Sequence, residues 1–348
     1  MDTKEILINP EKIDENLAKQ AGEVLARGGL VAFPTETVYG LGANAFDEKA
    51  VGAIFAAKGR PNDNPLIVHV ARVEDVEPLV REIPPKARIV MEHFWPGPIS
   101  IIMKKSDKIG DAVSAGLDTV AVRMPSHPVG RAVIAASGVA VAAPSANTSG
   151  KPSPTSARHV HDDMYGKIDM IVDGGRCGVG VESTVLDLSG DTAAILRPGG
   201  VSAAMLEPYI GKVMSPENAV ADADTPKCPG MKYKHYAPNA EVCVIEYRGE
   251  ANFEKIRETV EKYRAKGKCV GVLSCTGEGN IYNADIYING GETSEQYAEN
   301  LFYALRTFDE KGADIILCPI CFDDDMSVAV RNRLYKSAAN NVINMNML

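Results

Sequence analysis

The first part of the chain alternates between helix-like and strand-like patterns of apolar residues. Apolar side chains recur at helical spacing at Ile13, Leu17, Ala21, Val24 and Leu25, and Gly28 and Gly29 end that helix. A strand-like run, LVAF, follows at 30–33. Further strand-like runs are LIVHV at 66–70, SIIM at 100–103, TVAVRM at 119–124, VAVAA at 139–143, MIVD at 170–173, STVLDL at 183–188 and AAILR at 193–197. So many strands with few helices between them predict a twisted mixed α/β sheet rather than a strictly parallel one.

The pattern changes after residue 210. Residues 211–239 are rich in Pro, Asp and small residues without an apolar period, so they indicate a linker. Beyond the linker, the strand-like runs EVCVIEY, CVGVLSC and DIILCPI alternate with helical patterns over about 253–266 and 294–311. This alternation predicts a smaller, Rossmann-like parallel α/β domain. We therefore predict a catalytic domain at 1–210, a linker at 211–239 and a C-terminal domain at 240–348.

Composition narrows the class of protein. The chain has 348 residues, of which 45% are hydrophobic and 24% charged, as is typical of globular proteins. The net charge of -9 argues against an electrostatic grip on nucleic acid, so any connection with RNA is expected to be indirect, and direct RNA binding weak or absent. The apolar runs are too short to cross a membrane, and the N-terminus has no apolar core of a secretion signal. We expect a cytoplasmic protein.

The cysteine pattern favours the same compartment. Seven cysteines without a dense framework fit a reducing environment. Cys318 and Cys321 form a single CxxC, with no second pair and no histidine nearby. We interpret them as two small buried residues near a strand end rather than as a zinc or redox site.

Candidate ligand groups follow several predicted strands. The stretch FPTETVYGLGAN at 33–44 predicts a loop after LVAF, and Asp47 and Gly59 are expected to cap the next helix at its two ends. Lys58 and Arg60 at the end of that helix are either solvated cations or ligands for an anion. His69 at the end of LIVHV is either packed or functional, and both alternatives stay open.

Other strand ends carry the same kind of group. Arg123 stands just before the Pro that ends TVAVRM, where its planar fork suits a carboxylate or phosphate. The stretches APSANTSGKPSPTS, DGGRCGVGVESTVLDL and ILRPGG are rich in Gly, Ser and Asn. Such residues also dominate ordinary turns. Their accumulation at one strand end after another indicates a ligand site, since ligands gather at strand ends in open α/β sheets.

These stretches together resemble a known family. PTETVYGLGANA, KGRPNDNPL, PSANTSGKPSPT, STV, LRPG and CPGMKYKHYAP occur in the order found in the YrdC-like family, and the added α/β domain is similar to its two-domain members, the threonylcarbamoyl-AMP synthases. One departure is visible: Cys228 stands where the linker motif usually begins with Ser. The departure puts one small polar contact in doubt.

The resemblance implies a nucleotidyltransferase reaction. L-threonine, bicarbonate and ATP give threonylcarbamoyl-adenylate and pyrophosphate, the first step of threonylcarbamoyladenosine formation in tRNA. Other proteins, tRNA-modifying transferases, then move the activated group to the tRNA. Mg²⁺ is expected to accompany ATP, and the nucleotide is expected to supply most of its ligands.

The resemblance also assigns site residues. The threonine pocket is assigned to Thr35, His69, Arg123, Ala143 and Ser183. Catalysis is assigned to Lys58 and Arg60. ATP binding is assigned to Lys58, Asn62, Thr119, Ser145, Asn147, Ser153, Arg197 and Tyr236. The linker, with Lys232, Lys234, His235 and Tyr236, is expected to act as a lid over the nucleotide.

Some roles and two other functions remain open at this stage. Glu36 is either a proton acceptor near the substrate amine or a structural carboxylate, and Tyr39 either packs against the cavity or touches substrate. An RNA-binding module would need a basic face with aromatic residues, but only 6% of residues are aromatic. A carbamoyltransferase of the kind used in hydrogenase maturation would add paired CxxC motifs, which this sequence lacks.

Overall fold

The chain forms two compact units. The computed structural model describes residues 2–62, 64–215, 228, 235–247 and 253–345. The first unit comprises Met1–Ser149 and Ser153–Lys232, and the second comprises Gly150–Pro152 and Tyr233–Leu348. Most of the predicted linker lies outside the described residues, so the division at 210 and 239 stays a prediction.

The first unit is built on one large sheet with helices on its faces. Its strands are β1 (Lys4–Leu7), β2 (Val31–Phe33), β3 (Gly40–Asn44), β4 (Ile67–His69), β5 (Ile99–Lys104), β6 (Thr119–Arg123), β7 (Val141–Ala143), β8 (Met170–Asp173), β9 (Thr184–Asp187), β10 (Ala193–Arg197) and β11 (Val213–Met214). Its helices are α1 (Glu15–Ala26), α2 (Glu48–Lys58), α3 (Pro85–Phe94), α4 (Asp111–Ser114), α5 (Pro128–Ser137), α6 (Ala157–Met164) and α7 (Ala203–Ile210), with a 3₁₀ helix at Val73–Leu79.

The sheet is mixed, as the sequence predicts. Its strands lie in the order β1-β8-β2-β3-β7-β4-β6-β5-β9-β10-β11. The pair β4 and β6 is parallel, whereas β7 and β5 run antiparallel to β4 and β6 respectively. The carboxyl ends of β4, β6 and β10 therefore meet the amino ends of β5 and β9 at one edge. That edge gathers His69, Arg123, Arg197 and the residue before β9, Ser183.

The stretch 33–44 is a hairpin, which corrects the prediction of a loop. Gly40–Asn44 forms β3, which pairs antiparallel with β2, and only the turn between the two strands is irregular. Glycine is a poor strand former, and this is why the pattern did not predict the strand. The glycines are needed for packing, because a Cβ at Gly42 would lie 2.7 Å from both the Phe33 ring and Val141.

Helix α2 is capped at both ends as predicted. The Asp47 carboxylate accepts hydrogen bonds from the backbone N–H groups of Lys49, at 2.9 Å, and Ala50, at 3.2 Å. At the other end, Gly59 adopts the left-handed conformation with φ of 61°. Such a residue closes the last turn without the steric penalty of a side chain. Lys58, the last helical residue, is thereby held in a fixed position.

The two faces of the large sheet bury different cores. One face packs against α2, α3, α6 and α7 in a large apolar cluster that includes Val68, Val122, Ile101 and Leu186. The opposite face packs against α1 and α5 over β1, β8 and β2. Beyond those two helices, the same face carries a small cluster of Ile67, Ile102, Ala121, Val185, Leu196 and Cys228. This small cluster forms the apolar floor around which the candidate site is arranged.

The second unit is a parallel α/β domain, as predicted. Its strands β12 (Glu241–Glu246), β13 (Val270–Ser274), β14 (Ile286–Asn289), β15 (Ile315–Ile320) and β16 (Val342–Asn344) lie in the order β14-β13-β15-β12-β16. All the pairings between them are parallel. The helices are α8 (Phe253–Arg264), α9 (Ser294–Glu310) and α10 (Asp325–Ser337). The polar patterns of β14, α10 and β16 did not predict these elements.

A search of the described residues for a helix long and apolar enough to span a bilayer finds none.

Candidate active site

Most of the predicted ligand residues share one face of the large sheet. Thr119, Ala121 and Arg123 alternate along β6, so their side chains lie on the same face. Ala121 pairs with Ile67 and Arg123 with His69 on β4, and Ile67 in turn pairs with Ala143 on β7. Thr119 and Arg123 are about 13 Å apart along the strand at about 3.3 Å per residue. The face is therefore long enough for a small amino acid at one end and a phosphate group at the other.

Arg123 is buried and held from three directions. Its Nη2 donates to Glu36 at 2.7 Å, its Nη1 to the Thr37 hydroxyl at 2.9 Å, and its Nε to the Gly97 carbonyl at 3.3 Å. The side chain is only 4% exposed. A guanidinium has five N–H groups, and three of these donate within the protein. Among the described residues, the other two N–H groups have no hydrogen-bond partner, which leaves them for a ligand carboxylate.

Glu36 is held in turn. One carboxylate oxygen accepts from Arg123, and the other accepts from the backbone N–H of Ser126 at 3.0 Å. Because both oxygens are engaged, the geometry favours the structural alternative for Glu36 over the proton acceptor. The carboxylate fixes the plane of the guanidinium and offsets part of the cost of burying its charge.

Thr35 shapes the turn beside Arg123. Its hydroxyl donates to the Val38 carbonyl at 2.6 Å and lies 2.9 Å from the Thr37 hydroxyl. Since the Thr35 proton is directed to Val38, the Thr37 hydroxyl donates to Thr35 while it accepts from Arg123. Tyr39 is fully buried, and its hydroxyl donates to the Gly175 carbonyl at 2.7 Å. Tyr39 thus packs in the wall.

His69 is buried and neutral. Its Nδ1 lies 3.2 Å from the Ile67 carbonyl, and its ring meets the Phe33 ring edge to face at 6.1 Å between centroids. Burial, together with the positive charge of Arg123, lowers the pKa of His69 to about 3. The imidazole is therefore packed, and it stands next to Arg123 as an uncharged group. Its assigned role in threonine binding stays a prediction.

Ser183 and Arg197 form a second polar group at the same edge. Arg197 donates from Nε and Nη2 to the Ser183 carbonyl at 3.1 and 3.0 Å, and from Nη2 to the Ser183 hydroxyl at 3.1 Å. The Ser183 hydroxyl also lies 2.8 Å from that of Ser100. A glycine is required at 199 for this arrangement, because a Cβ there would lie 2.3 Å from the Thr184 nitrogen. Arg197 and Ser183, assigned to different substrates, are neighbours.

Lys58 lies beside the loop that follows β7, away from the strand ends that carry Arg123. Its ammonium donates to the Ser145 carbonyl at 2.5 Å and the Asn147 carbonyl at 2.6 Å, and the side chain is 3% exposed. The Ser145 hydroxyl donates to the Asn147 side chain at 2.5 Å. The alternative of a solvated cation is therefore wrong for Lys58. The structure brings together three residues assigned to ATP: Lys58, Ser145 and Asn147.

The neighbouring predicted residues are less enclosed. The Arg60 guanidinium lies over the Phe55 ring at 5.7 Å, and Arg60 is partly exposed. Asn62 is exposed, whereas Thr119 is buried at the start of β6. Neither Arg60 nor Asn62 joins the Lys58 group through a hydrogen bond recorded for the described residues, so their assigned roles stay predictions.

Three residues of the site did not emerge from the sequence. Two of them, Thr37 and Ser100, contact Arg123 and Ser183 as described above. Glu182 accepts a hydrogen bond from the buried Ser153 hydroxyl at 2.5 Å. A signal for Glu182 existed, since a carboxylate directly precedes Ser183 in a glycine-rich turn. Ser100 gave none, because it stands within an ordinary apolar strand.

The linker residues are divided between the two units. Cys228 is fully buried against the apolar floor of the first unit, so its thiol occupies an apolar environment. Tyr236 belongs to the second unit, where its ring stacks on Phe302 at 5.2 Å between centroids. Lys232 and Lys234 lie outside the described residues. The lid and the role of Tyr236 in ATP binding stay predictions.

The search for a protein metal site gives a negative result within the described ranges. No group of three or more His, Cys, Asp or Glu side chains there could hold a metal ion. The residues around Lys58 are cationic, amide and hydroxyl groups, which suit phosphate oxygens rather than a bare cation. The described side chains therefore offer no ready set of ligands for Mg²⁺.

Comparisons with known sequences cover nearly the whole chain. A profile of the family Sua5_yciO_yrdC, described as telomere recombination, matches residues 23–199, and one described as the threonylcarbamoyl-AMP synthase C-terminal domain matches 201–339. The chain is 48% identical to the threonylcarbamoyl-AMP synthase of Pyrococcus abyssi over 340 residues, which are 97% of this chain and 99% of the relative. It is 45% identical to that of Bacillus subtilis, covering 93% of each.

Solved structures agree with the sequence comparisons. The crystal structure of P. abyssi Sua5 complexed with L-threonine superposes with a TM-score of 0.93 at 47% identity, covering 99% of this chain and 100% of that one. Escherichia coli YciO shares the fold at 22% identity and a TM-score of 0.54, covering 60% of this chain. The protein belongs to the two-domain threonylcarbamoyl-AMP synthases of the YrdC-like family.

Proposed function

We propose that the protein makes L-threonylcarbamoyl-AMP from L-threonine, bicarbonate and ATP, with release of pyrophosphate. This reaction would be the first step of threonylcarbamoyladenosine formation in tRNA, and other proteins would transfer the group. The main support is a buried arginine at the carboxyl end of β6, together with a buried lysine among the carbonyls of the loop that follows β7. The relative whose structure is described as complexed with L-threonine is 47% identical over the whole chain.

The amino acid would occupy the Arg123 end. The two remaining N–H groups of Arg123 suit the substrate carboxylate, since a guanidinium binds carboxylates bidentately. Neutral His69 adds no charge there, and the apolar floor of Ile67 and Ala121 suits a small side chain. Ser183 and Ser100 supply hydroxyls at the same edge. These features support threonine, a small hydroxyl amino acid, as the substrate.

The nucleotide would occupy the Lys58 end. The buried ammonium, with the hydroxyl and amide of Ser145 and Asn147, forms a fixed set of groups for phosphate and ribose oxygens. Such groups need no rearrangement as charge develops on the phosphates, and this preorganisation is the main source of electrostatic catalysis. Mg²⁺ would arrive with ATP as part of the substrate, and no step is assigned to a protein-bound metal.

In the proposed reaction, the main contribution of the protein is to position its substrates. The threonine amine attacks the bicarbonate carbon, an N–C bond forms, a C–O bond breaks and water leaves, which gives a carbamate. A carbamate oxygen then attacks the α-phosphorus while pyrophosphate leaves. Transfer at phosphorus depends on alignment and on charge stabilisation rather than on a protein nucleophile. The rigid strand β6 between the two ends of the site fixes the separation that this alignment requires.

The direct test is an assay with ATP, labelled bicarbonate and a panel of amino acids. We expect pyrophosphate and a labelled adenylate with threonine, and much less with serine or valine. Omission of bicarbonate should abolish both products. Pyrophosphate release that ignores threonine and bicarbonate would overturn the proposed reaction.

Replacement of Lys58 tests the nucleotide end. Lys58→Ala should lower the rate about a hundredfold or more, because one preorganised electrostatic group is lost. Threonine binding, measured by calorimetry, should change little. Lys49→Ala is the control, since Lys49 is exposed on the same helix. Near-normal turnover of Lys58→Ala at saturating ATP would show that Lys58 only anchors the loop.

Replacement of Arg123 tests the amino-acid end. Arg123→Lys should raise the apparent threonine constant about 10- to 100-fold, the scale of a lost charge-assisted hydrogen bond, because an ammonium cannot reproduce the fork. The ATP constant should stay within about twofold. Arg72→Lys, in an exposed ion pair with Asp75, is the control and should change neither constant. Equal losses for both substrates would indicate a purely structural arginine.

The neutral state of His69 has a pH signature. Below the ordinary pKa of 6.5 the unfolded chain binds a proton that folded His69 refuses, so this residue removes up to about 1.4 kcal/mol of stability per pH unit as the pH falls toward 3. The His69→Gln variant identifies the NMR signal of the His69 imidazole, because that signal is missing from its spectrum. In the unaltered protein, the chemical shift of this signal should stay constant between pH 8 and 5. Titration of His69 near pH 6.5 would contradict the buried, uncharged state.

A further inference from the structure

Two cysteines of the second unit lie in contact at one edge of its sheet. Cys275 directly follows β13, and Cys321 directly follows β15. The sulfur atoms are 3.2 Å apart. All seven cysteines are free thiols, so the contact joins two reduced side chains. This pair differs from the CxxC pair of the sequence. Cys318 is fully buried within β15, whereas the Cys321 sulfur contacts Cys275 at the end of β13.

The strand geometry explains the contact and suits a covalent bond. Strands β13 and β15 are parallel neighbours, with Val272 opposite Leu317. Extending that register by three residues places Cys275 opposite Ile320, next to Cys321. Neighbouring strands lie about 4.8 Å apart, within the range of about 4.4–6.8 Å that a disulfide spans between Cα atoms. A bond of about 2.05 Å would need the sulfurs to move together by only about 1.2 Å.

We propose that Cys275 and Cys321 are a reversible oxidation site, at which a hydroperoxide converts the two thiols into a disulfide. Cys321 attacks first, because it is half-buried, whereas Cys275 is 3% exposed. The site lies in the second unit and is independent of the proposed synthase reaction.

The two steps balance. In the first, the Cys321 thiolate attacks a peroxide oxygen, an S–O bond forms, the O–O bond breaks, and sulfur loses two electrons to the peroxide. The product is a sulfenic acid, and the leaving hydroxide takes up a proton. In the second, the Cys275 sulfur attacks Cys321, the S–S bond forms, and the hydroxyl leaves as water with the Cys275 proton. Two thiols and one hydrogen peroxide give one disulfide and two waters.

The groups around the two sulfur atoms shift the pKa values of the two thiols in opposite directions, so the thiols have different roles. The contact between the two sulfur atoms holds the pKa of Cys321 below its ordinary value, although burial opposes this, and the Tyr247 hydroxyl and the Arg331 charge add to the effect. The same contact, with burial, raises the pKa of Cys275. The Tyr247 hydroxyl lies 3.2 Å from the Cys275 sulfur. Cys321 is thus the more acidic thiol and forms the thiolate more readily, whereas Cys275 keeps the proton that the second step uses.

Other charged groups near Arg331 limit its influence. Its Nε lies 3.3 Å from a Glu246 carboxylate oxygen, and its Nη1 lies 3.9 Å from Asp323. Part of its charge is therefore compensated. The hydrogen bond between the thiols is the larger cause of the thiolate character of Cys321.

The test oxidises the full chain with hydrogen peroxide near pH 7. We expect two of the seven thiols to disappear in a titration of the denatured protein, the intact mass to fall by two hydrogen atoms, and one crosslinked peptide pair to contain Cys275 and Cys321. Dithiothreitol should restore both thiols. A crosslink that joins other cysteines, or thiol loss spread evenly over all of them, would overturn the proposal.

Two single variants separate the steps. Cys275→Ser should stop at the sulfenic acid, so that dimedone labels residue 321, whereas Cys321→Ser should show little labelling and no disulfide. The control is Cys269→Ser, which removes a partly exposed thiol of the same unit and should leave disulfide formation unchanged. Labelling at Cys321 should be about three- to tenfold faster than at Cys269, whose pKa is raised by burial. Equal labelling rates at Cys321 and Cys269 would contradict the assigned roles. If a variant misfolds, the peptide map of the oxidised, unaltered protein still tests whether Cys275 and Cys321 form the disulfide.

Discussion

The buried charge of Arg123 is the constraint on which the site of the first unit depends. A guanidinium with 4% exposure is stable only when its lost hydration is replaced by hydrogen bonds and a counter-charge. Glu36, Thr37 and the Gly97 carbonyl provide these partners. The turn that carries Glu36 and Thr37 must therefore come close to the end of β6. It does so because Gly130 of α5 leaves room, where a Cβ would lie 2.2 Å from the Pro34 carbonyl oxygen.

The positive charge of Arg123 also affects the protonation state of its neighbour His69. His69 stands opposite Arg123 in the parallel register, and burial and the guanidinium together keep the imidazole neutral. The edge thus holds Arg123 with its fixed carboxylate, the buried Arg197 and one neutral ring. A substrate carboxylate that enters meets an already oriented fork and does not have to organise it, which lowers the entropic cost of binding.

The sequence predicted the strands of the first unit well, because most are continuous apolar runs. It failed where chemistry and packing require residues that are poor strand formers, as in the glycines of β3, or where elements are polar, as in β14 and α10. Arg123 and Lys58 could be identified because a charged residue at the end of an apolar element is conspicuous. The hydrogen-bond partners of these two residues could not be predicted. The pairing of Lys58 with the Ser145 and Asn147 carbonyls, for example, depends on how α2 and β7 pack in the fold. The contact of Cys321 with Cys275 was missed for the same reason: the local sequence pattern does not predict which strands are neighbours in the sheet.

Arg123 and Lys58 are held by different kinds of partner, and the difference fits their positions. Arg123 pairs with the Glu36 carboxylate, which fixes the plane of its guanidinium, so this end of the site can select one substrate carboxylate through geometry. The Lys58 ammonium donates to the carbonyl oxygens of Ser145 and Asn147. These carbonyl partners are uncharged, so they repel a phosphate less than a carboxylate partner would. The two sets of contacts therefore agree with the proposed placement of the amino acid at the end of β6 and of the nucleotide phosphates at the end of α2.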